Sequence, residues 1–312
     1  MIITFKEIME LRKGDKEKAY EVAENVYKSK GGVWVSRAYA WTLYDRISAE
    51  ITSGGYTSAK PYIQEFLELN MSSTFIMNTQ FLLQMERLYK DANFPALDVL
   101  RNRCFFMEED WKKEKINGVF KPSIAEKFVS KFIKVFDRQS DVSYFIHYRP
   151  FLESAHKRMK DNIMFCNYLG KLLNKYTKQY DKALQLMTPM VNENSDFFMV
   201  WEELAEVYHN KKHYKESLAC YCKALTCTSD DKHLLRIKFR LGMVLHKMGM
   251  DSEAKTEILE MVDILGTQNN FACPNWNSVK DMKWFLNAIP KSDNKALYQK
   301  QKKVAEKLVF QK

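Results

Sequence analysis

The sequence contains little glycine and proline, with 10 Gly and 7 Pro among 312 residues. Sheet-rich proteins of this length need many tight turns, and glycine and proline are the residues that form them. Leu, Lys, Glu, Met and Ala are abundant instead, and these residues favour helices joined by short connections. The composition therefore predicts an all-α protein.

Long apolar runs are also missing. No window approaches the roughly 18 consecutive apolar residues that a spanning helix needs, and the opening MIITFKEIMELRK lacks the apolar core of a secretory signal. The six Cys are irregularly spaced, and Cys220, Cys222 and Cys227 fall in one amphipathic segment, which indicates reduced thiols. We therefore expect a soluble, cytoplasmic protein that does not engage a membrane.

Motifs that carry catalysis or hold metals are not found. The sequence has no glycine-rich phosphate loop, nucleophile elbow or HExxH motif. His209 and His213 lie four residues apart, but no Cys, Asp or Glu pattern completes a metal site. We predict neither enzymatic activity nor a metal or other cofactor.

One pattern occurs three times between residues 163 and 262, and its middle copy is FMVWEELAEVYHNKKHYKESLACYCKALTCTSDD. Two apolar faces in this copy have helical spacing: Trp201, Leu204, Ala205 and Tyr208, then Ser217, Leu218, Tyr221, Ala224 and Leu225. Each copy therefore predicts two packed helices, which the small Ala205 and Ser217 allow to approach closely. The spacing from Ala183 to Ser217 is 34 residues and from Ser217 to Ala254 is 37, and the turn of the first copy carries one extra residue.

These positions resemble the tetratricopeptide repeat (TPR) in order and period. Ser229 stands where the signature has a closing proline, and Lys238 replaces the first aromatic of the third copy. The resemblance implies a right-handed α-solenoid of antiparallel helix pairs, with about twelve to fourteen helices. We expect degenerate TPR-like hairpins over residues 1–150, three clear repeats over 151–270 and capping helices over 271–312.

Further helices are predicted outside the three copies. The pairs Gly31-Gly32 and Gly54-Gly55 are expected to separate helices near the N-terminus. The remaining predicted helices are Lys60–Leu69, Met77–Ala92, Phe94–Met107, Pro122–Phe136 and Asn294–Phe310.

The opening, with LRKGDKEKAYEVAENVY followed by SRAYAWTLYD, resembles a bacterial group of TPR proteins found in predicted conflict (phage-defence) loci. In that group a small oligonucleotide-binding β-barrel often follows the helical array. Here the sequence ends with AEKLVFQK where such a barrel would begin, so the resemblance implies either a form that lacks the barrel or a truncated chain.

In TPR arrays the first helices of each pair line a concave groove that binds a peptide. Positions in the repeat predict these groove residues: Asn167, Lys171, Asn174 and Lys175; Glu202, Glu203, Glu206, His209 and Asn210; Arg236, Arg240, Met243 and Lys247. Their charges alternate as positive, negative and positive bands. Glu203 stands where some family members use Asn to hold a terminal carboxylate, so we expect a partner segment with a basic centre and acidic flanks. A merely solvated polar face is the alternative.

A basic stripe forms the second candidate site. In KPSIAEKFVSKFIKVFDR, the basic residues Lys127, Lys131, Lys134 and Arg138 recur at helical spacing, and the whole chain has a net charge of +10. Such a stripe is typical of phosphate contacts, although it also serves to solubilise a helix. No aromatic-rich strand motif accompanies it, so base stacking is not predicted.

The leading hypothesis from the sequence is a non-catalytic scaffold or adaptor that binds a protein or peptide in the groove. The alternative is a nucleic-acid-associated protein of a bacterial defence system that uses the basic stripe. The two differ in their response to salt, because nucleic-acid binding weakens steeply as ionic strength rises.

Overall fold

The computed structural model describes residues 4–69, 75–101, 106–267 and 276–310. The chain divides into two units, Met1–Met159 (unit 1) and Lys160–Lys312 (unit 2). Within the described ranges, no helix is long and apolar enough to cross a membrane.

The described residues of unit 1 are helical or irregular apart from one small hairpin. Its α-helices are α1 (Phe5–Gly14), α2 (Lys16–Lys30), α3 (Val33–Glu68), α4 (Phe75–Glu86), α5 (Ala96–Val99), α6 (Ile124–Phe132) and α7 (Val142–Arg158). Short 3-10 turns occupy Glu109–Trp111 and Ile133–Arg138, and β1 (Lys115–Ile116) pairs antiparallel with β2 (Val119–Phe120). The sequence did not predict these strands.

The two glycine pairs separate helices as predicted. Gly31 and Gly32, with φ of 61° and 105°, end α2 before α3 begins. Gly55, with φ of 66° and ψ of −149°, interrupts the helical geometry inside α3. These positive φ angles suit glycine because it has no Cβ.

Two helix predictions in unit 1 were too long. Met77–Ala92 ends as α4 at Glu86, and Phe94–Met107 is reduced to the four-residue α5, with residues 102–105 outside the described ranges. The carboxylate of Asp91 accepts the backbone N–H groups of Tyr56 and Asn93, both at 2.9 Å, and holds the chain in a turn. The apolar side chains that suggested a longer helix are buried by this compact segment.

In unit 2 the described residues form three consecutive pairs of α-helices and two further α-helices, with a short 3-10 turn at Trp276–Ser278. The α-helices are α8 (Ile163–Leu172), α9 (Tyr180–Glu193), α10 (Phe198–Asn210), α11 (Tyr214–Leu225), α12 (Asp231–Lys247), α13 (Asp251–Thr267), α14 (Lys283–Asn287) and α15 (Lys295–Phe310). Pairs α8–α9, α10–α11 and α12–α13 each pack closely, and neighbouring pairs meet through α9–α10 and α11–α12. The all-α repeat fold predicted from the sequence is confirmed.

Small residues occur where the paired helices cross. A Cβ on Gly170 would lie 2.6 Å from Cγ of Met187, and one on Gly242 would lie 2.9 Å from Cδ1 of Ile258. In the middle pair, Ser217 is buried and its Oγ donates to a carbonyl of α10 at 2.9 Å. Larger side chains at these positions would force the helices apart.

The turns inside the three pairs share one backbone conformation. Lys178, Lys212 and Gly249 all have positive φ, at 54°, 65° and 75°. The first turn must accommodate its extra residue, and the segment Leu173–Thr177 does so by forming a π-helical turn at the end of α8. A π-turn contains one more residue than an α-turn, so the repeat register is preserved.

The substitution of Lys238 for the first aromatic is explained by α15. Lys238 is buried, and its Nζ lies 3.2 Å from Oε2 of Glu257 and 3.1 Å from the hydroxyl of Tyr298, with Glu260 as a further ion-pair partner. Asn294 also donates to Glu257, at 2.7 Å. This network fixes the start of α15 to the third pair, and the helix then packs on α11 and α9.

Candidate functional site

The charged groove residues of α8 and α10 are paired with each other. Lys171 forms an ion pair with Glu203, and Nδ2 of Asn167 donates to Oε2 of the same carboxylate at 2.7 Å. Asn210 donates to the side-chain oxygen of Asn174 at 3.1 Å. Side chains of successive first helices are therefore joined along their length.

The same arrangement continues from α10 to α12. Glu202 is only 2% exposed, and its carboxylate accepts hydrogen bonds from Nε and Nη2 of Arg236, both at 2.5 Å. Arg240 Nη1 lies 2.8 Å from Oε2 of Glu206, which also accepts the hydroxyl of Tyr221 at 2.9 Å. The predicted bands of alternating charge are present, but they neutralise one another across neighbouring repeats.

The other predicted groove residues have varied surroundings. Lys175 is exposed and its Nζ lies 4.7 Å from the ring centroid of Tyr176, while Lys247 is also exposed. His209 is half-buried, and burial lowers the pKa of its imidazole. The groove as a peptide site stays a prediction.

The cysteines of α11 lie in the core. Cys220 and Cys222 are fully buried free thiols, and burial raises the pKa of each. Among the described residues, no three His, Cys, Asp or Glu side chains are grouped so that they could hold a metal ion. Cys104 and Cys273 lie outside the described ranges.

Five basic side chains of unit 1 line a cavity of about 800 Å³. It opens between the segment that follows α4 and the C-terminal part of α6 with its 3-10 turn. The basic residues that line it are Arg87, Lys90, Lys131, Lys134 and Arg138. Three of the four predicted stripe residues thus share one cavity, whereas Lys127 is exposed on α6 outside it.

Local sequence determines where these side chains lie. Ser123 and Glu126 form a capping box that fixes the start of α6. Phe128 and Phe132 are buried, which leaves Lys131 on the open side of the helix. The chain then tightens into the 3-10 turn Ile133–Arg138, in which residues three apart lie above one another. Lys131 and Lys134, three residues apart, therefore lie on the cavity side, and Arg138 lines the cavity from the end of the turn.

The acidic residues of the cavity are already engaged. Glu86 forms an ion pair with Lys131. Asp91 accepts the two backbone N–H groups of Tyr56 and Asn93 that hold the turn. The cavity therefore sets five basic side chains against two carboxylates, one of which is already paired.

Of the other basic residues that line the cavity, Arg87 contacts neutral side chains. Arg87 donates to the hydroxyls of Ser48 and Thr52, at 3.0 and 2.8 Å. No carboxylate in the described part of the chain forms an ion pair with Lys90 or Arg138. The cavity therefore keeps an excess of positive charge, which favours an anionic ligand.

Aromatic side chains form a wall beside these charges. The rings of Tyr89 and Phe94 are stacked with centroids 6.2 Å apart, and both residues line the cavity. A second cavity of about 280 Å³ shares Phe94 with the first and is bounded by Tyr144, whose hydroxyl donates to the Asp98 carboxylate at 2.8 Å. An anionic ligand with a planar apolar portion would match both the basic residues and the aromatic wall.

Residues 165–305 match a domain of unknown function, DUF7017. No curated protein matches the chain. Similar solved structures include a human IFIT1 dimer with PPP-AAAA, at 15% identity over 80% of this chain and 55% of that chain, with a TM-score of 0.39. A monomeric IFIT1 mutant with Gppp-AAAA gives 14% identity, the same coverage and a TM-score of 0.40. The chain spans about half the length of these IFIT1 chains.

The DUF7017 match lies inside unit 2, so the cavity of unit 1 is outside it. Sequence reasoning found the cavity residues of α6 from their spacing, but it missed Arg87 and Lys90. These two lie three residues apart in a turn far earlier in the chain, and only folding brings them to Lys134 and Arg138.

The hairpin was also missed, although the sequence carries its signal. Asn-Gly between short apolar segments is a strong hairpin indicator, and Asn117 and Gly118 have φ of 51° and 80°. The hairpin places Phe120, 63% exposed, on a basic segment. The hairpin carries one aromatic residue and is not the aromatic-rich strand motif whose absence the sequence indicated.

Proposed function

We propose that this chain is a non-catalytic helical-repeat protein that binds nucleic acid on the basic face of unit 1. The observation that carries the proposal is the 800 Å³ cavity, which gathers five basic side chains against two carboxylates, one paired with Lys131 and the other bound to backbone N–H groups. The groove of unit 2 becomes the second candidate because its charges are largely paired within the protein.

The cavity has the size and chemistry for a nucleotide portion of a longer chain. Binding sites for small organic groups measure about 300–1,000 Å³. The guanidinium groups of Arg87 and Arg138 can donate two hydrogen bonds to one phosphate, and Lys90 and Lys134 supply compact charges. A base or sugar would meet the wall formed by Phe94.

Salt dependence of oligonucleotide binding tests the proposal. Labelled 20-nucleotide single strands and duplexes would be titrated with protein at several NaCl concentrations, and affinity followed by fluorescence anisotropy. For single strands the slope of log affinity against log salt is about −0.7 per phosphate contact. The variant Lys134→Ala/Arg138→Ala should bind more weakly and reduce the magnitude of that slope by about 1.4.

A matched control comes from α2. Lys18 and Lys30 are also exposed but do not line the cavity, so Lys18→Ala/Lys30→Ala should retain the wild-type affinity and slope. Equal losses in the two variants would mean that general positive charge, and not the cavity, attracts the nucleic acid. No binding by the wild-type protein at low salt would refute the proposed function.

The second candidate is a peptide-binding adaptor, as the TPR resemblance implies. Met164 and Met199 occupy the same position in successive first helices and are 46% and 37% exposed. Methionine is flexible and polarisable, and it is common on surfaces that bind peptides. The resemblance to the defence-locus group stays a prediction, and either function is compatible with a larger defence complex.

Affinity purification from the native host, with and without nuclease, tests the adaptor. A stoichiometric protein that survives nuclease and is lost with Met164→Lys/Met199→Lys would support the groove. Met282 is 38% exposed outside the three helix pairs, so Met282→Lys serves as the control that should retain the partner. If only nucleic acid and proteins bound to it were recovered, the adaptor function would be excluded.

A further inference from the structure

A β-hairpin extends unit 1 between the 3-10 turn Glu109–Trp111 and α6. Its strands β1 and β2 are joined by Asn117 and Gly118, both with positive φ, as in a type I′ turn. The backbone N–H of Lys121 donates to the carbonyl of Glu114 at 2.8 Å and adds a rung beyond the strands. The hairpin is therefore an ordered element and not a solvated connection.

The two faces of the hairpin differ in chemistry. Cross-strand partners share a face, so Lys115 and Phe120 lie on one face and Ile116 and Val119 on the other. The Lys115 ammonium lies 5.7 Å from the centroid of the Phe120 ring. Phe120 is 63% exposed, Val119 59% and Ile116 48%, which is an unusual apolar exposure for so short a segment.

The base of the hairpin is fixed to the helices of unit 1. The Arg158 guanidinium of α7 lies 5.4 Å from the ring centroid of Trp111. Lys113 Nζ lies 3.0 Å from Oε1 of Glu126 in the first turn of α6. These contacts present the tip at a defined position next to the basic helix.

We propose that the Phe120 face stacks an unpaired base and that unit 1 therefore selects single-stranded nucleic acid. This inference rests on the proposed function, because it assumes that the same unit binds the phosphate backbone. Bases inside a duplex are stacked on each other, so their faces are closed to Phe120. Stacking on an exposed aromatic ring is the usual way in which proteins hold single strands without sequence preference.

Charge complementarity favours this occupant. From the hairpin to the cavity the chain carries eight basic residues against three acidic ones: Lys112, Lys113, Lys115, Lys121, Lys127, Lys131, Lys134 and Arg138 against Glu114, Glu126 and Asp137. α6 begins four residues after Phe120 and its nine residues span about 13 Å. A single strand stacked on Phe120 can therefore follow the lysines of α6 towards the cavity.

Two other occupants fit less well. An added protein strand would gain few backbone hydrogen bonds, because β1 and β2 contain two residues each. An anionic bilayer would take up both faces of the hairpin, so Val119 would matter as much as Phe120. Both alternatives become outcomes of the test.

The test compares Phe120→Ala, Phe120→Tyr and Val119→Ala in the full chain. Each variant is titrated with single-stranded RNA, single-stranded DNA of the same sequence, the corresponding duplex, and vesicles rich in phosphatidylserine. We expect Phe120→Ala to weaken single-strand binding by roughly 5- to 150-fold without changing the salt slope, because no charge is removed. Phe120→Tyr and Val119→Ala should bind as the wild type does, and unequal RNA and DNA affinities would identify the natural strand.

Several results would overturn the inference while the proposed function stands. One is wild-type single-strand binding that Phe120→Ala leaves intact, and another is a preference for duplex. Equal losses in Phe120→Ala and Val119→Ala, with vesicle binding lost in parallel, would assign the hairpin to a membrane surface. Absence of any nucleic-acid binding by the wild-type protein would refute the proposed function itself.

Discussion

Charged side chains have different surroundings in the two units of this chain. In unit 2 the basic and acidic residues of successive first helices pair with each other, and Glu202 is buried beneath Arg236 as a result. In unit 1 five basic residues face one cavity, where the nearby carboxylates are engaged with Lys131 and with backbone N–H groups. The difference separates charges that pair between repeats from basic residues that line a cavity.

The repeat explains why most groove charges of unit 2 are paired, whereas those of the cavity in unit 1 are not matched in the same way. Inter-repeat contacts join residues 32 to 38 positions apart, such as Lys171 with Glu203 and Glu202 with Arg236. A regular register sets each side chain beside the same level of the next helix, where an opposite charge can be placed. The cavity of unit 1 is formed by segments with no such relationship, so its charges have no built-in partners.

The largest effect is expected where the paired charges are most deeply buried. Lys238→Met leaves Glu257, which is fully buried, without its cation. We expect a loss of about 3–5 kcal/mol in the free energy of unfolding, the usual cost of breaking a buried pair from one side. Urea denaturation followed by circular dichroism measures it.

Two controls keep this result interpretable. Lys232→Met on the exposed start of α12 should change stability by less than about 0.5 kcal/mol. Adding Glu257→Gln to Lys238→Met should restore part of the loss, since Gln keeps an acceptor for Asn294 without a charge. A loss below about 1 kcal/mol for Lys238→Met would show that the network does not stabilise unit 2 as argued.

The next largest effect comes from comparing the substitution of one arginine in each unit. Arg236→Ala removes the two hydrogen bonds to buried Glu202 and should destabilise the protein by about 1–3 kcal/mol. Arg138→Ala should leave stability within about 0.5 kcal/mol but weaken oligonucleotide binding. Denaturation and anisotropy measured on both variants test the separation, and a loss of stability in Arg138→Ala would contradict it.

The sequence predicted unit 2 far better than unit 1, and particular residues show why. Period and small crossing residues such as Gly170 identify helix pairs, because each pair is determined by contacts within its own repeat. The extra residue in the first turn was visible in the spacing, although its π-helical form required the structure. The spacing could not show that Lys171 and Glu203 form an ion pair, because this pairing depends on the register between repeats.

Unit 1 lacks that periodicity, and its site depends on contacts between distant segments. The face of α6 was predictable because Lys127 and Lys131 follow helical spacing. Arg87 and Lys90 were not, because they lie in a turn held by the Asp91 carboxylate. Leu97 and Leu100 made the predicted helix too long, because one buried turn has the same apolar pattern as a long helix.

Packing at the crossings offers a smaller test of unit 2. Gly170→Ala would place a methyl 2.6 Å from Cγ of Met187, whereas the same change at Gly266 meets open space. Overpacking costs about 1–3 kcal/mol and alanine recovers about 0.5–1 kcal/mol of helix propensity, so Gly170→Ala should destabilise by about 1 kcal/mol. Gly266→Ala should stabilise by about 0.5–1 kcal/mol, and equal signs in thermal denaturation would contradict the argument.

The smallest effect concerns His209, a groove residue whose charge the repeat does not match. Burial lowers the pKa of its imidazole, an effect opposed by Glu206 and reinforced by Arg240 and Lys247. Above pH of about 6.5 the side chain is neutral in both the folded and unfolded chains, so its contribution to stability is complete. As pH falls below that value the unfolded chain binds the proton first, and stability is lost towards the lower folded pKa.

His209→Gln isolates this contribution from the other histidines, which titrate in both proteins. The difference in unfolding free energy between pH 7.5 and 5.5, measured in urea, should therefore be larger for the wild type than for the variant. Lys247→Ala should reduce the difference, because it removes one of the cations that lower the His209 pKa. If the wild type and His209→Gln lost equal stability, the side chain would be protonated as readily in the folded groove as in water. Protonation of His209 in the groove of unit 2 would then not reduce the stability of the folded chain. The charges of the first helices would be less strictly paired than the Glu202–Arg236 ion pair suggests.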